Sequence, residues 1–293
     1  MRIGIVSYWF NRGQAVVSRH IRSIFDDLGH ETFVLARRTR KSFFKPFFVD
    51  HEDVWNQSGV TEGSAYDLSE TEYLQWAKDT GVEIVFFDQN LQFDAIAALR
   101  RLGIVTIGRF VWESFGPDNR VAAQKAYDVI YSLTRCEQAR YARMGIESPY
   151  VSWGCHPELL AVSPSPAEKG VIRFFYPGGY LSKRKPTEAT IEAFRRVDDP
   201  RARLFIKVQH GDRGRELAEF ASATDRRIDV LVGDLPMKEH LALFAGSDVS
   251  LAPSRWEGLG LHLFEAVAFG IPTITNDAPV SYTHLTLPTK RIV

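Results

Sequence analysis

The chain reads as an α/β protein of two doubly wound, parallel-sheet domains. Three observations predict this. Short apolar runs alternate with helix-period segments along nearly the whole chain. The runs are continuous rather than alternating, as strands buried on both faces require. The alternation restarts after a Pro/Ser-rich stretch near residue 165.

The first half opens with a strand, Ile3 to Val6, and a loop, Ser7 to Gln14. A helix follows, with apolar residues at Val17, Ile21, Ile24, Phe25 and Leu28, and ends at Gly29. Thr32 to Ala36 is the next strand, so the unit is strand–helix–strand with a right-handed crossover. Glu83 to Phe87 is a strand. A helix runs from Asp94, a candidate N-cap, to Leu102, and Gly103 closes it. Ile104 to Ile107 is a strand, Ala122 to Tyr127 a helix, and Val129 to Tyr131 a strand.

In the second half, Ile172 to Tyr176, Leu204 to Val208, Ile228 to Val232, Val249 to Ala252 and Ile271 to Thr275 are the strands. The helices between them are Thr187 to Val197, Arg215 to Ala223, Lys238 to Ala245 and Leu261 to Phe269. Residues 162–170, rich in Ser and Pro, are the expected linker. The expected domains are 1–160, 161–280 and a tail, 281–293.

Composition narrows the function. Among 293 residues there are 36 Lys plus Arg and 36 Asp plus Glu, so no net basic field favours nucleic acid as a partner. The two cysteines, Cys136 and Cys155, form no CxxC pair and no zinc-spaced cluster with histidine. Two reduced thiols and a cytoplasmic setting are expected, and no metal ligands. No stretch approaches the roughly 20 apolar residues of a membrane span.

Two segments carry chemistry. In Pro253-Ser254-Arg255-Trp256-Glu257-Gly258-Leu259-Gly260-Leu261-His262-Leu263-Phe264-Glu265-Ala266 a strand passes through a glycine-containing loop into a helix. Gly258 and Gly260 let a ligand approach the backbone, and N–H groups at the helix start suit anionic or hydroxyl-rich ligands. Glu257 and Glu265, acceptor-only when ionised, suit sugar hydroxyls. The plainer alternative is two solvated glutamates. In Phe174-Phe175-Tyr176-Pro177-Gly178-Gly179-Tyr180-Leu181-Ser182-Lys183-Arg184-Lys185-Pro186, two glycines turn the chain and three cations precede a helix. Cations there could neutralise a diphosphate leaving group; the alternative is a solvated basic turn.

These residues carry a resemblance. The Glu257–Glu265 spacing resembles the Glu-x7-Glu motif of the retaining glycosyltransferase family 4, which has the two-domain, Rossmann-like GT-B fold. Ala266 to Thr275, Val232 to Pro236 and Ala245 to Val249 resemble that family's neighbouring pieces in order. The likeness is strongest from residue 172 to 277. It implies two domains facing a cleft and metal-independent, retaining transfer of a hexose from a nucleoside diphosphate sugar. The acceptor would be a sugar, a lipid or a polysaccharide precursor of the cell envelope, and no cofactor is implied. Lys185 and Glu257 would serve catalysis. Gly13, Gly178, Gly179, Arg184, Gly258, Leu259, Gly260 and Glu265 would hold the donor. Gly13 stands where the family has a Gly-Gly pair, and Tyr180 where it has an arginine.

The resemblance leaves other functions open: a nucleotide-sugar epimerase or hydrolase of the same fold, and a non-catalytic nucleotide-sugar-binding remnant. Several smaller readings complete the set. The family's cleft histidine is absent from Ile107 to Glu113, where Arg109 and Glu113 either contact substrate or form surface ion pairs. His210 and His262 are lone histidines, and His156 is structural. Residues 37–48 interleave cations with phenylalanines, which suits either peripheral contact with an anionic membrane at its inner face or phenylalanines packed inward. The segment from Val280 to Val293 resembles adapter-derived read-through, so a truncated C-terminal domain is expected; a short natural tail is the alternative.

Overall fold

The computed structural model describes residues 1–9, 13–39, 57–111, 113–179, 181–209, 211–233 and 235–277. Most of the 37–48 segment, Tyr180, His210 and the 281–293 tail lie outside these residues. The chain divides into two units, Met1–Ser152 and Trp153–Val293.

In the first unit the elements run β1 (Arg2–Tyr8), α1 (Gly13–Asp27), β2 (Glu31–Arg37), β3 (Val60–Glu62), α2 (Glu70–Thr80), β4 (Ile84–Asp88) and α3 (Phe93–Arg101). They continue with β5 (Val105–Arg109), α4 (Arg120–Ala126), β6 (Val129–Ile130) and α5 (Arg135–Arg143). The sheet order is β3-β2-β1-β4-β5-β6, and every pair is parallel. This is the doubly wound order, in which the chain reverses direction of travel beside β1. Apolar β4 is covered by α2 and α3, whose Tyr73, Trp76, Ile96 and Leu99 are buried with Phe87. Phe110 stacks on Phe115 at 4.2 Å between centroids, and Tyr127 meets Phe110 edge-on.

The second unit begins with a single helical turn, α6 (Pro157–Leu160). It continues with β7 (Ile172–Gly179), α7 (Thr187–Phe194), β8 (Ala202–Val208), α8 (Gly211–Thr224), β9 (Ile228–Val232), α9 (Met237–Ala245), β10 (Val249–Ala252), α10 (Leu261–Ala268) and β11 (Thr273–Thr275). Its sheet order is β11-β10-β7-β8-β9, again all parallel. The reversal falls between β7 and β10. Both units are therefore Rossmann-like α/β folds.

The Pro/Ser-rich stretch is not a free linker. Ser165 N donates to the Ala242 carbonyl at 2.8 Å, and Arg173 donates to Ser165 Oγ and the Pro166 carbonyl. Gly246 is glycine for this reason: a Cβ there would lie 2.6 Å from the Ser165 carbonyl oxygen. His156 caps α6, its Nδ1 accepting from Glu158 N. Cys155 Sγ donates to the Phe264 carbonyl. The chain is thus bound to the second unit from before residue 160.

Local chemistry corrects some element boundaries and adds elements. Asp94 does not cap α3. The helix starts at Phe93 after Gln92, and Asp94 sits in the first turn, where its charge complements the helix dipole. Helix α2 adds to the expected set. Ser69 Oγ accepts from Glu72 N at its start, and Gly81, at φ 62°, closes it. Helix α5 is started by a reciprocal cap: Thr134 Oγ1 accepts from Glu137 N, and Glu137 Oε2 accepts from Thr134 N.

Candidate active site

In an open α/β sheet the crevice lies beyond the carboxyl ends of the strands, where the strand order reverses. In the second unit that is the space above β7 and β10. β7 ends at Gly179, at φ 57°, and the loop after it holds the cations Lys183, Arg184 and Lys185. The loop after β10 runs from Pro253 to Gly260. Gly260, at φ 74° and ψ 49°, adopts the left-handed conformation that turns the chain into α10.

The two loops meet through a buried ion pair. Lys185 Nζ donates to Glu257 Oε1 at 2.6 Å and to Ser254 Oγ at 2.8 Å. Arg184 Nη1 lies 3.6 Å from Glu257 Oε2, and His262 Nε2 lies 3.9 Å from Oε1. Burial alone would raise the Glu257 carboxyl. His262, Lys185 and Arg184 outweigh it and pull the pKa down to about 2. Burial pushes the Lys185 ammonium down, opposed by Glu257. Glu257 is therefore a carboxylate over the whole neutral range, held among three potential cations.

Glu265 is in a different environment. It lies one turn into α10, where its backbone carbonyl accepts from Phe269 N, and among the described residues no side chain or backbone N–H donates to its carboxyl. Burial pushes its carboxyl up to about 7. A partly buried carboxyl without a donor is a place where ligand hydroxyls could supply the missing hydrogen bonds.

The remaining predicted residues fall as follows. Gly258, Leu259 and Gly260 are buried in the bend between the two glutamates. Gly178 lies inside β7, where a Cβ would sit 3.2 Å from both the Lys207 carbonyl and Val208 Cγ1. The second unit therefore brings Gly178, Gly179, Arg184, Lys185, Glu257, Gly258, Leu259, Gly260 and Glu265 to the end of β7, two adjoining loops and α10. Gly13 belongs to the first unit, as the exposed first residue of α1 beyond the end of β1.

Two readings are corrected. Arg109 makes no surface ion pair. It is 2% exposed, with Nη1 3.1 Å from Asp88 Oδ1 and Nη2 3.1 Å from Glu137 Oε1, in the core above β4 and β5. A charge so placed needs both carboxylates, which leaves it no reach toward substrate. His262 is no isolated histidine, since it faces Glu257. Ser254, which holds Lys185, has little signal in the sequence beyond a hydroxyl two residues past the end of β10.

Comparison with known proteins bears on this unit. The family model "Glycosyl transferases group 1" matches residues 165–284. The second unit matches the group 1 glycosyl transferases. Its two site loops and α10 all lie inside the match. A stretch of 102 residues is 33% identical to the protein named "Probable glycogen synthase" from Methanocaldococcus jannaschii, covering 34% of this chain and 19% of that relative.

Solved structures extend the likeness of fold to nearly the whole chain. The Anabaena protein HepE in complex with UDP and glucose superposes with a TM-score of 0.71 at 14% identity, over 96% of this chain and 82% of that one. A glycosyltransferase from Rickettsia africae gives 0.71 at 11% identity, over 98% and 82%. The lipopolysaccharide outer core galactosyltransferase WaaB gives 0.63 at 17% identity, over 95% and 81%. The fold is therefore that of GT-B glycosyltransferases. Among the described residues no helix is long and apolar enough to cross a membrane.

Proposed function

We propose that this protein transfers a hexose from a nucleoside diphosphate sugar to a sugar, lipid or polysaccharide-precursor acceptor, with retention of anomeric configuration and without a metal ion. The observation that carries the reading is the Lys185–Glu257 pair in the crevice between the β7 and β10 loops. The group 1 match over the same segments and the GT-B fold support it. A cytoplasmic setting and a peripheral membrane contact through residues 37–48 belong to the same proposal.

The chemistry asked of the site is modest and electrostatic. The bond between the anomeric carbon and the β-phosphate oxygen breaks. The acceptor oxygen bonds to the same face of that carbon, and its proton passes to the departing phosphate oxygen. Negative charge grows on the diphosphate as the bond breaks, and Lys185 and Arg184 stabilise it. Glu257 fixes Lys185 and accepts from sugar hydroxyls. Glu265 accepts from the donor ribose, and the 258–260 backbone lies along the donor. Positioning supplies the rest of the barrier reduction.

A thermal-shift screen with UDP-, GDP- and ADP-sugars tests the reading. A donor at 100 times its Kd should stabilise the native state by about 2.7 kcal/mol. No shift with any of the three counts against it. Consumption of donor without acceptor would instead point to a hydrolase or epimerase.

Glu265 gives a sharper test. Its folded pKa, about 7, stands above the unfolded value near 4.5. The folded state thus binds the proton more tightly. That stability is fully present below about pH 4.5 and is lost as pH rises through 7. Urea melts between pH 5 and 8 should show the second unit weakening by at most about 3 kcal/mol. In Glu265→Gln this slope should flatten and donor affinity should fall. An unchanged slope with full donor affinity refutes the assignment.

A further inference from the structure

Arg255 has no place in the chemistry above, yet it is held more firmly than an exposed loop arginine needs to be. Its backbone N donates to the Arg184 carbonyl at 2.9 Å, and its Nη1 donates to the Lys183 carbonyl at 2.9 Å. One residue of the β10 loop therefore grips two successive peptide groups of the β7 loop. Among the described residues its guanidinium pairs with no carboxylate. Ordering a long side chain costs about 1.5–2 kcal/mol of rotamer freedom. Here that ordering serves a backbone and not an ion pair.

The gripping residue is itself supported from the far side. Asn276, just past β11, donates from Nδ2 to the carbonyls of Pro253 and Ser254 at 3.0 and 3.1 Å. Thr275 Oγ1 donates to the Ala252 carbonyl at 3.0 Å. Hydrogen bonds thus run from the end of β11, through residues 252–255, to the backbone that bears the cations. Lys185 N, donating to the Ser182 carbonyl at 3.0 Å, closes the turn.

We infer that Arg255 is a positioning residue: it clamps the Lys183–Arg184 backbone so that Arg184 and Lys185 are aimed at the donor diphosphate. The inference rests on the donor reading above. Arg255 acts through the loop and not by its own charge, and Asn276 acts in series with it. A displacement of the cations by about 1 Å is enough to cost a large factor in a geometry-dependent site. The loss should fall on the terminal phosphate, because the clamp controls the cations and not the residues assigned to the ribose.

Calorimetric titration with UDP, GDP and ADP, and with UMP, GMP and AMP, tests this on the full chain. In Arg255→Met, affinity for the diphosphate that binds the wild-type chain should fall about tenfold, with the matching monophosphate within about twofold of wild type. Asn276→Ala removes no charge and should reproduce the selective loss to a smaller degree. Arg255→Lys, which keeps a donor, should recover part of it. Urea melts of each variant check that the fold is intact. The inference is overturned by unchanged diphosphate affinity in Arg255→Met, or by equal loss for mono- and diphosphate. It is also overturned by a loss in Arg255→Met with none in Asn276→Ala, which would mean that the charge acts directly. If no diphosphate binds the wild-type chain, the donor reading fails and takes this inference with it. That result differs from a chain that binds and is insensitive to Arg255.

Discussion

Lys185→Met is expected to lower donor turnover by about 10³-fold and to destabilise the second unit by about 3 kcal/mol. Both effects have the same origin. Lys185 Nζ is the nearest cation to Glu257, at 2.6 Å, and its side chain is only 5% exposed. Removing it leaves a buried carboxylate with Arg184 at 3.6 Å and His262 at 3.9 Å as remaining compensation. These partners keep the stability loss toward the lower end of the range for a broken buried pair. They do not restore the point charge that the departing diphosphate needs. The double variant Lys185→Met, Glu257→Gln separates the two effects. It removes both charges, so stability should largely return while turnover stays lost. Urea melts and nucleotide-release rates on the same preparations read the two outcomes. A double variant that regains turnover would refute the role of Lys185.

Arg109→Met is expected to destabilise the first unit by about 3–5 kcal/mol, enough to unfold it in many contexts. Arg109, Asp88 and Glu137 are 2%, 4% and 0% exposed. Without the guanidinium, two carboxylates face each other in the core. Glu137 keeps Leu133 N at 3.0 Å and Thr134 N at 3.2 Å. These amides hold the start of α5, so strain on Glu137 spreads to that helix. Calorimetric unfolding measures the effect. The triple variant Asp88→Asn, Arg109→Met, Glu137→Gln removes every charge and should recover most of the loss. An Arg109→Met chain that melts within about 1 kcal/mol of wild type would contradict the buried-triad account.

The contrast between these two sites shows what a sequence can reveal. The strand–helix alternation was legible because continuous apolar runs and 3.6-residue periodicity are local properties. So was the segment from Glu257 to Glu265, where Gly260 turns the loop after β10 into α10. Helix α2 was written in the chain as Ser69, Glu72 and Gly81, but its face is carried by few apolar residues and the charged surface masks the period. Helix α5 is more polar still, and only Thr134 with Glu137 announces it. The three-residue strand β3 gives almost no periodic signal. The Lys185–Glu257 pair was not legible as a pair. Its members are 72 residues apart and meet only because β10 lies beside β7. The burial of Arg109 is hidden for a similar reason: an arginine near the end of a strand suggests solvent until Asp88 and Glu137 arrive from two other elements. Ser165 and Gly246 show the same limit, since only the packed chain explains why a Pro/Ser-rich stretch is fixed.

Amide hydrogen exchange, measured with and without saturating nucleotide sugar, tests the central claim most directly. Slowed exchange is expected in two places, residues 178–185 from the end of β7 into the loop after it, and residues 254–265 from the β10 loop into α10. Binding of a nucleotide sugar with protection elsewhere and none in these two segments would contradict it.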